Sequence, residues 1–132
     1  MSHAQRISGA AFPSFYVDDF DAAVAFWTAV VGPPQYTEPE GAGHLVGFRL
    51  GDTWLTLFPA AAGPHPGSGP RNCEFALRAT APDDVDAVFA ALVAAGAKPV
   101  MRPQDTRMYE PMRFACADTP HGIRVDVFCP RG

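Results

Sequence analysis

From Phe12 to Gly32 the chain reads FPSFYVDDFDAAVAFWTAVVG, and the spacing of its apolar residues changes period partway through. Phe12 to Val17 is rich in aromatic and β-branched residues and predicts a strand, with Phe12, Ser14 and Tyr16 on one face and Pro13, Phe15 and Val17 on the other. Asp18 and Asp19 stop it and offer carboxylates to the free N–H groups of a following helix, with Asp21 adding negative charge in the first turn. Phe20, Ala23, Val24, Trp27, Val30 and Val31 then recur at three- and four-residue spacing as a buried helical stripe. Gly32, Pro33 and Pro34 end it.

Further along, Gln35 to Gly43 is polar and broken by Gly and Pro, which suits a ragged edge strand or loop. His44 to Leu50 and Thr53 to Phe58 read as two strands joined by the turn pair Gly51-Asp52. In the second of them Leu55 and Leu57 face the helix, while Trp54, Thr56 and Phe58 face away. Pro59 to Pro70 is rich in Gly and Pro and predicts a linker. Arg71 to Ala79 is a strand again, with Phe75 and Leu77 toward a helix and Asn72, Glu74 and Ala76 away from it. That helix begins near Pro82 with Asp83, Asp84 and Asp86, buries Val85, Val88, Phe89 and Leu92, and stops at Gly96. Pro99 to Pro111 is expected to be an irregular edge strand and loop. Arg113 to Ala117 and Ile123 to Cys129 are the closing strands, joined by Asp118 to Gly122.

The pattern is a duplication. Shifting by 65 positions lays Asp19, Asp21, Ala22, Ala25 and Ala29 on Asp84, Asp86, Ala87, Ala90 and Ala94, and a shift of 70 lays Leu55 to Phe58 on Val125 to Phe128. Each half is βαβββ, an α+β architecture. At 132 residues the chain suits one domain over residues 1–132, with module 1 over about 10–60, the linker over 59–70 and module 2 over about 71–130. Modules of that size must share one hydrophobic interior.

Composition narrows the function classes. Hydrophobic residues make up 48% and charged residues 18%, which is globular, and the apolar runs are too short to cross a bilayer. The opening MSHAQRISGA lacks the apolar core of a secretory signal, so a cytoplasmic protein is expected. A net charge of −4 with scattered Lys and Arg gives no basic stripe for a nucleic acid. Cys73, Cys116 and Cys129 have no disulfide or zinc spacing and are expected to be small core or strand residues. His3, His44, His65 and His121 fall in a tail, a strand start, the linker and a hairpin turn, where solvated loop histidine is the expectation. No Ser-His-Asp order, phosphate-cradling glycine loop or adjacent Cys-His pair stands out.

Val17-Asp18-Asp19-Phe20, Phe26-Trp27 and Gly32, followed in the second half by Asp118, Gly122, Val125 and Asp126, resemble the motifs of the vicinal oxygen chelate superfamily, the group of glyoxalase I, extradiol dioxygenases and bleomycin-resistance proteins. The resemblance runs nearly end to end and implies two tandem βαβββ modules whose incurved mixed sheets surround a cavity. It also implies that catalytic members hold a divalent metal at positions falling here on Phe12, Thr56, Asn72 and Asp126. Phe12 cannot ligate, Thr56 and Asn72 are poor neutral donors, and only Asp126 is a usual ligand type, so no metal site and no cofactor are expected.

In place of ligands that face carries Phe12, Tyr16, Trp54, Phe58 and Phe128, with Ser14, Thr56, Asn72, Glu74, Arg124 and Asp126 as polar complement. Such a surface suits a bulky, flat ligand. The aromatics could instead fill a barrel or build a dimer contact, but a curved sheet exposing Phe12 and Trp54 needs a cover. Tyr109, Met108 and Met112 lie where relatives place a loop over the cavity, and flexible thioethers adapt to a large ligand. The expected function is non-catalytic binding and sequestration of an aromatic small molecule such as a natural-product antibiotic, by a homodimer. The alternative is a metal-dependent lyase, isomerase or dioxygenase of the same superfamily.

Overall fold

The computed structural model describes residues 6, 12–38, 45–62, 73–107 and 110–132. Among these the chain builds β1 (Ser14–Val17), α1 (Phe20–Val31), β2 (Tyr36–Thr37), β3 (Val46–Leu50), β4 (Thr53–Pro59), β5 (Cys73–Arg78), α2 (Pro82–Ala94), β6 (Lys98–Arg107), β7 (Pro111–Asp118) and β8 (Ile123–Pro130), with a short 3-10 turn over Ala60–Ala62 after β4. Sheet 1 has the order β1-β4-β3-β2 and sheet 2 the order β5-β8-β7-β6. In each sheet the first strand runs parallel to the fourth and the other neighbours are antiparallel. The βαβββ order therefore holds twice, in two open mixed sheets.

Local chemistry explains the helix ends. Asp19 caps α1, its Oδ1 accepting the Ala22 N–H at 3.1 Å, and the helix closes where the Gly32 N–H meets the Thr28 carbonyl. At α2 the cap position is Ala81, which has no side chain to offer. There Asp84 reaches back instead and accepts the Ala81 N–H at 3.1 Å, while Pro82 starts the helix without needing a donor.

Burial follows the alternation along the strands. Leu55 and Leu57 of β4 and Val125 and Val127 of β8 are fully buried beneath the helices, against Ala23, Phe26 and Trp27 of α1 and Val85, Phe89 and Leu92 of α2. One apolar cluster includes residues of both modules, as two halves of this size require. Each large side chain so buried contributes roughly 1.5–3 kcal/mol. Ring contacts cross the junction: Phe15 of β1 meets Phe75 of β5 at 5.6 Å between centroids, and Trp27 meets Phe75 at 5.9 Å.

Four expectations change. The first strand begins at Ser14, leaving Phe12 ahead of it. The α1 stripe takes in Phe26 and leaves Val31 exposed, because Phe26 has the β7–β8 turn to pack against. The irregular edge strand and loop expected over Pro99 to Pro111 is found as the edge strand β6, but it is longer than expected, ten residues, and absorbs its two prolines through register shifts between Pro99 and Gln104. Met112, expected in a covering loop, is buried in β7 beside Phe114 and Cys116. Residues 63–70 of the expected linker lie outside the described residues, and Pro59 is the last residue of β4.

Candidate functional site

The face of sheet 1 turned away from α1 is aromatic, and one missing side chain shapes it. Ser14 is in register with Thr56 and Tyr16 with Phe58 across the parallel pair, while Thr56 faces Gly47 on β3 and Gly47 faces Tyr36 on β2. The Tyr16 and Phe58 rings stack at 5.0 Å with a 21° interplanar angle. The Trp54 indole lies over Gly47, so close that a Cβ there would stand 3.2 Å from Cε3. The other side of this arrangement is charged, with the Arg49 guanidinium carbon 5.3 Å from the Trp54 ring centroid. The Arg49 backbone N–H donates to Gln35 Oε1 at 2.7 Å, which ties the chain before β2 to the rim.

The result is a concavity of about 410 Å³ lined by Phe12, Gln35, Tyr36, Leu45, Gly47, Trp54, Thr56 and Phe58. Its volume lies in the range of small-molecule pockets. Phe12 is 54% exposed and Tyr36 49% exposed, which is a large apolar area left open to water. The Tyr36 hydroxyl donates to Glu38, and that bond together with the carboxylate charge raises the phenol pKa.

The matching face of sheet 2 is acidic at one end and apolar at the other. Glu74 is in register with Arg124 and Ala76 with Asp126, so Glu74 sits diagonal to Asp126 across β5 and β8. Burial first, and then the nearby Glu74 charge, push the Asp126 carboxyl up to about 6, opposed by Arg124. Asp126 Oδ1 is buried with no hydrogen-bond partner among the described residues. Arg124 is held by Asp118 through two bonds of 2.7 and 3.0 Å, and this pairing keeps the Asp118 carboxyl below the usual range. Next to Asp126, Phe128 packs with Met112, Phe114 and Cys116, and burial pushes the Cys116 thiol up.

The anticipated residues thus form two groups. Phe12, Ser14, Tyr16, Trp54, Thr56 and Phe58 belong to sheet 1 or its entry, and Glu74, Arg124, Asp126 and Phe128 to sheet 2. No hydrogen bond or ring contact among the described residues joins the two groups. Asn72 and Tyr109 lie outside the described residues, as do Met108, His3, His44 and His65. Gly47, Gln35, Tyr36 and Arg49 were not anticipated. Gly47 could have been noticed as a glycine inside a strand pattern, which often marks close approach.

Strand register also corrects one assignment. Ser14 pairs with Thr56 and Ala76 with Asp126, so the position equivalent to Phe12, two residues before Ser14, is Glu74 and not Asn72. The four positions at which the resemblance implies metal ligands are therefore Phe12, Thr56, Glu74 and Asp126. A phenyl ring and a neutral hydroxyl leave two carboxylates, and among the described residues no group of three or more His, Cys, Asp or Glu is placed to hold an ion. The donor set does not fit a catalytic divalent metal.

His121 departs furthest from expectation. It is not a solvated loop residue: its Nε2 accepts the Trp27 Nε1–H at 3.0 Å, and its ring packs edge-on against Phe26 at 5.3 Å. Accepting at Nε2 requires the neutral ring with its proton on Nδ1, and burial pushes the pKa down to about 4. The turn that carries it is braced by the buried Thr119, whose hydroxyl accepts the Ile123 N–H at 3.0 Å.

Comparison with known proteins agrees with the fold. The model of the glyoxalase/bleomycin resistance protein/dioxygenase superfamily matches residues 6–127. No curated protein matches the chain significantly. Among solved structures, a glyoxalase-related enzyme from Fulvimarina pelagi is similar with a TM-score of 0.71 at 16% identity, over 93% of this chain and 88% of the other. A glyoxalase/bleomycin resistance protein from Albidiferax ferrireducens T118 gives 0.72 at 15% identity, over 91% and 98%. TnmS3, an antibiotic binding protein from Streptomyces sp. CB03234, gives 0.67 at 25% identity, over 94% and 97%.

Proposed function

This chain belongs to the glyoxalase/bleomycin resistance protein/dioxygenase superfamily, and from that premise we propose that it binds and sequesters a bulky, flat aromatic molecule of antibiotic type without turning it over. The observation that carries this reading is the open aromatic concavity of sheet 1, in which Trp54 is laid over Gly47 beside exposed Phe12 and the stacked Tyr16–Phe58 pair. Aromatic stacking of a ligand on such a floor is worth about 0.5–1.5 kcal/mol per pair beyond the area buried. The likeness to TnmS3 supports the same reading. On this reading the protein is cytoplasmic and needs no metal or other cofactor. It is also a homodimer, in which sheet 2 of one chain, with Glu74, Arg124, Asp126 and Phe128, closes over sheet 1 of its partner.

The test is titration of planar polycyclic antibiotics against the wild type and Trp54→Ala, with mass spectrometry of the recovered ligand. Trp54→Ala should weaken binding by roughly tenfold or more, since about 1.4 kcal/mol is tenfold in affinity. Gly47→Val should weaken it too, by pushing the indole off its floor. Equal affinity in wild type and Trp54→Ala, or a chemically altered ligand, would refute the proposal.

One observation favours a second reading. Asp126, with its raised pKa beside Glu74, has the form of a general acid, as an isomerase or lyase of this superfamily would use. Ligand conversion abolished by Asp126→Asn would favour that reading over binding alone.

A further inference from the structure

The duplication gives the two modules two equivalent junctions, and among the described residues only one of them is filled. At the first, the β7–β8 turn runs over Thr119–Gly122, brings Pro120 to the end of α2 beside Gly96, and seats His121 on Phe26 and Trp27 of the other module's helix. At the second, the corresponding β3–β4 turn is only Gly51-Asp52, tight enough to require φ +64° at Gly51, and Asp52 is exposed. Nothing in so short a turn can reach across as His121 does. What remains there is a cavity of about 750 Å³ between the end of α1, the β3–β4 hairpin, β5 and α2.

We propose that this unplugged junction is a second small-molecule site, separate from the aromatic concavity of sheet 1, and that it takes a compact apolar molecule carrying one anionic group. The volume lies within the usual range for such sites, roughly 300–1,000 Å³. The walls are apolar: Val30 from α1, Leu50 and Trp54 from the hairpin, Leu77 from β5 and Val88 from α2. Arg78 of β5 is the one cation among the described lining residues, and no described residue gives it a hydrogen bond or an ion pair. A guanidinium in that state is a ready partner for a carboxylate or sulfonate. Asp52, on the opposite wall, repels an anion and so orients the charged end toward β5.

Phe12 and Trp54 line both cavities, so the test uses residues that belong to one alone: Val88 and Arg78 for the junction, Tyr36 and Phe58 for the face of sheet 1. The full chain is titrated calorimetrically with cyclohexylmethanesulfonate, a compact apolar anion with no aromatic ring to stack on sheet 1, and with its neutral analogue cyclohexylmethanol, with circular dichroism confirming the native fold. The sulfonate should bind one saturable site, and Val88→Trp, which fills the cavity, should weaken it by roughly tenfold or more. If that variant does not fold, Val31→Trp at the rim is read in its place. Arg78→Gln should abolish the preference for the sulfonate over the neutral probe, whereas Tyr36→Ala and Phe58→Ala should leave sulfonate affinity unchanged. Absence of saturable binding, or affinity that follows Phe58 and ignores Val88, overturns the second site. Equal affinity for the two probes in the wild type overturns the anionic ligand. Loss of antibiotic binding in Trp54→Ala with sulfonate binding to Val88→Trp unchanged would leave the sheet 1 proposal standing and remove this one.

Discussion

The two modules share a backbone and differ in what they show to solvent. On sheet 1 the open face is aromatic and floored by Gly47; on sheet 2 the equivalent strands carry Glu74, Asp126 and the Arg124–Asp118 pair, with apolar Met112, Phe114 and Phe128 beside them. The junctions differ in the same way, one plugged by His121 and the other, among the described residues, open. What the difference teaches is that in the strands the helix-facing positions stay apolar in both halves, while on the open face Phe58 and Phe128 match and their neighbours diverge. Leu55 and Leu57 have apolar counterparts in Val125 and Val127, while Thr56 has become Asp126 and Phe12 corresponds to Glu74.

The largest expected effect breaks the comparison at the core. Trp27 of α1 and Leu92 of α2, related by the 65-residue shift, are both fully buried, but only Trp27 also holds the other module through His121 and Phe75. Trp27→Ala should cost about 3–5 kcal/mol and Leu92→Ala about 2–5 kcal/mol, by cavity formation. Trp27→Ala should in addition free His121, whose pKa should rise toward that of an exposed imidazole. Denaturant melts combined with NMR titration of the imidazole read both.

A pH series sets two partly buried titratable groups of module 2 against each other, one that ties it to module 1 and one on its open face. His121 has a folded pKa near 4, below its unfolded value, so its contribution makes stability fall as pH drops from about 6.5 toward 4. Asp126 is raised to about 6, so its contribution has the opposite sign: stability falls as pH rises from about 4 through 6. The two oppose each other in one window. His121→Gln should therefore expose a slope in which the melting temperature falls with rising pH, and Asp126→Asn one in which it rises. An unchanged profile in both variants would contradict the two assignments.

The smallest expected effect concerns the helix starts. Asp19→Ala removes a side chain that caps α1 at its N-cap position, at a cost of about 1 kcal/mol. Asp84→Ala removes only the backward bond to the Ala81 N–H and should cost less, since Pro82 already relieves one donor. Paired urea melts measure the difference.

Most of the fold was legible in the sequence. Both helices, their ends and the inward faces of β4, β5 and β8 follow from apolar period and from Asp, Pro and Gly punctuation. The irregular edge strand expected from Pro99 onward is present as β6; its full length to Arg107 was not legible, because Pro99 and Pro103 argue locally against so long a strand, whereas the edge of sheet 2 needs only one side of its backbone paired. Of the aromatic members of the candidate site, Phe12, Tyr16, Trp54 and Phe58 were on the expected list, since alternate residues of β1 and β4 must share a face, whereas Tyr36 of β2 was not. Gly47 was not, because its importance lies in Trp54, seven residues away in sequence and 3.2 Å from its missing Cβ.

By itself, then, the sequence determined the repeated βαβββ order and the division of each strand into a helix side and an open side, because these depend on interactions a few residues apart. Only the tertiary structure decided that Glu74, not Asn72, stands opposite Phe12 in the duplication, since register is a property of strand pairs. It alone turned His121 from a turn residue into the bond between modules, 94 positions from Trp27. And it alone left the other junction open among the described residues, because a cavity is defined by what several distant segments together fail to fill.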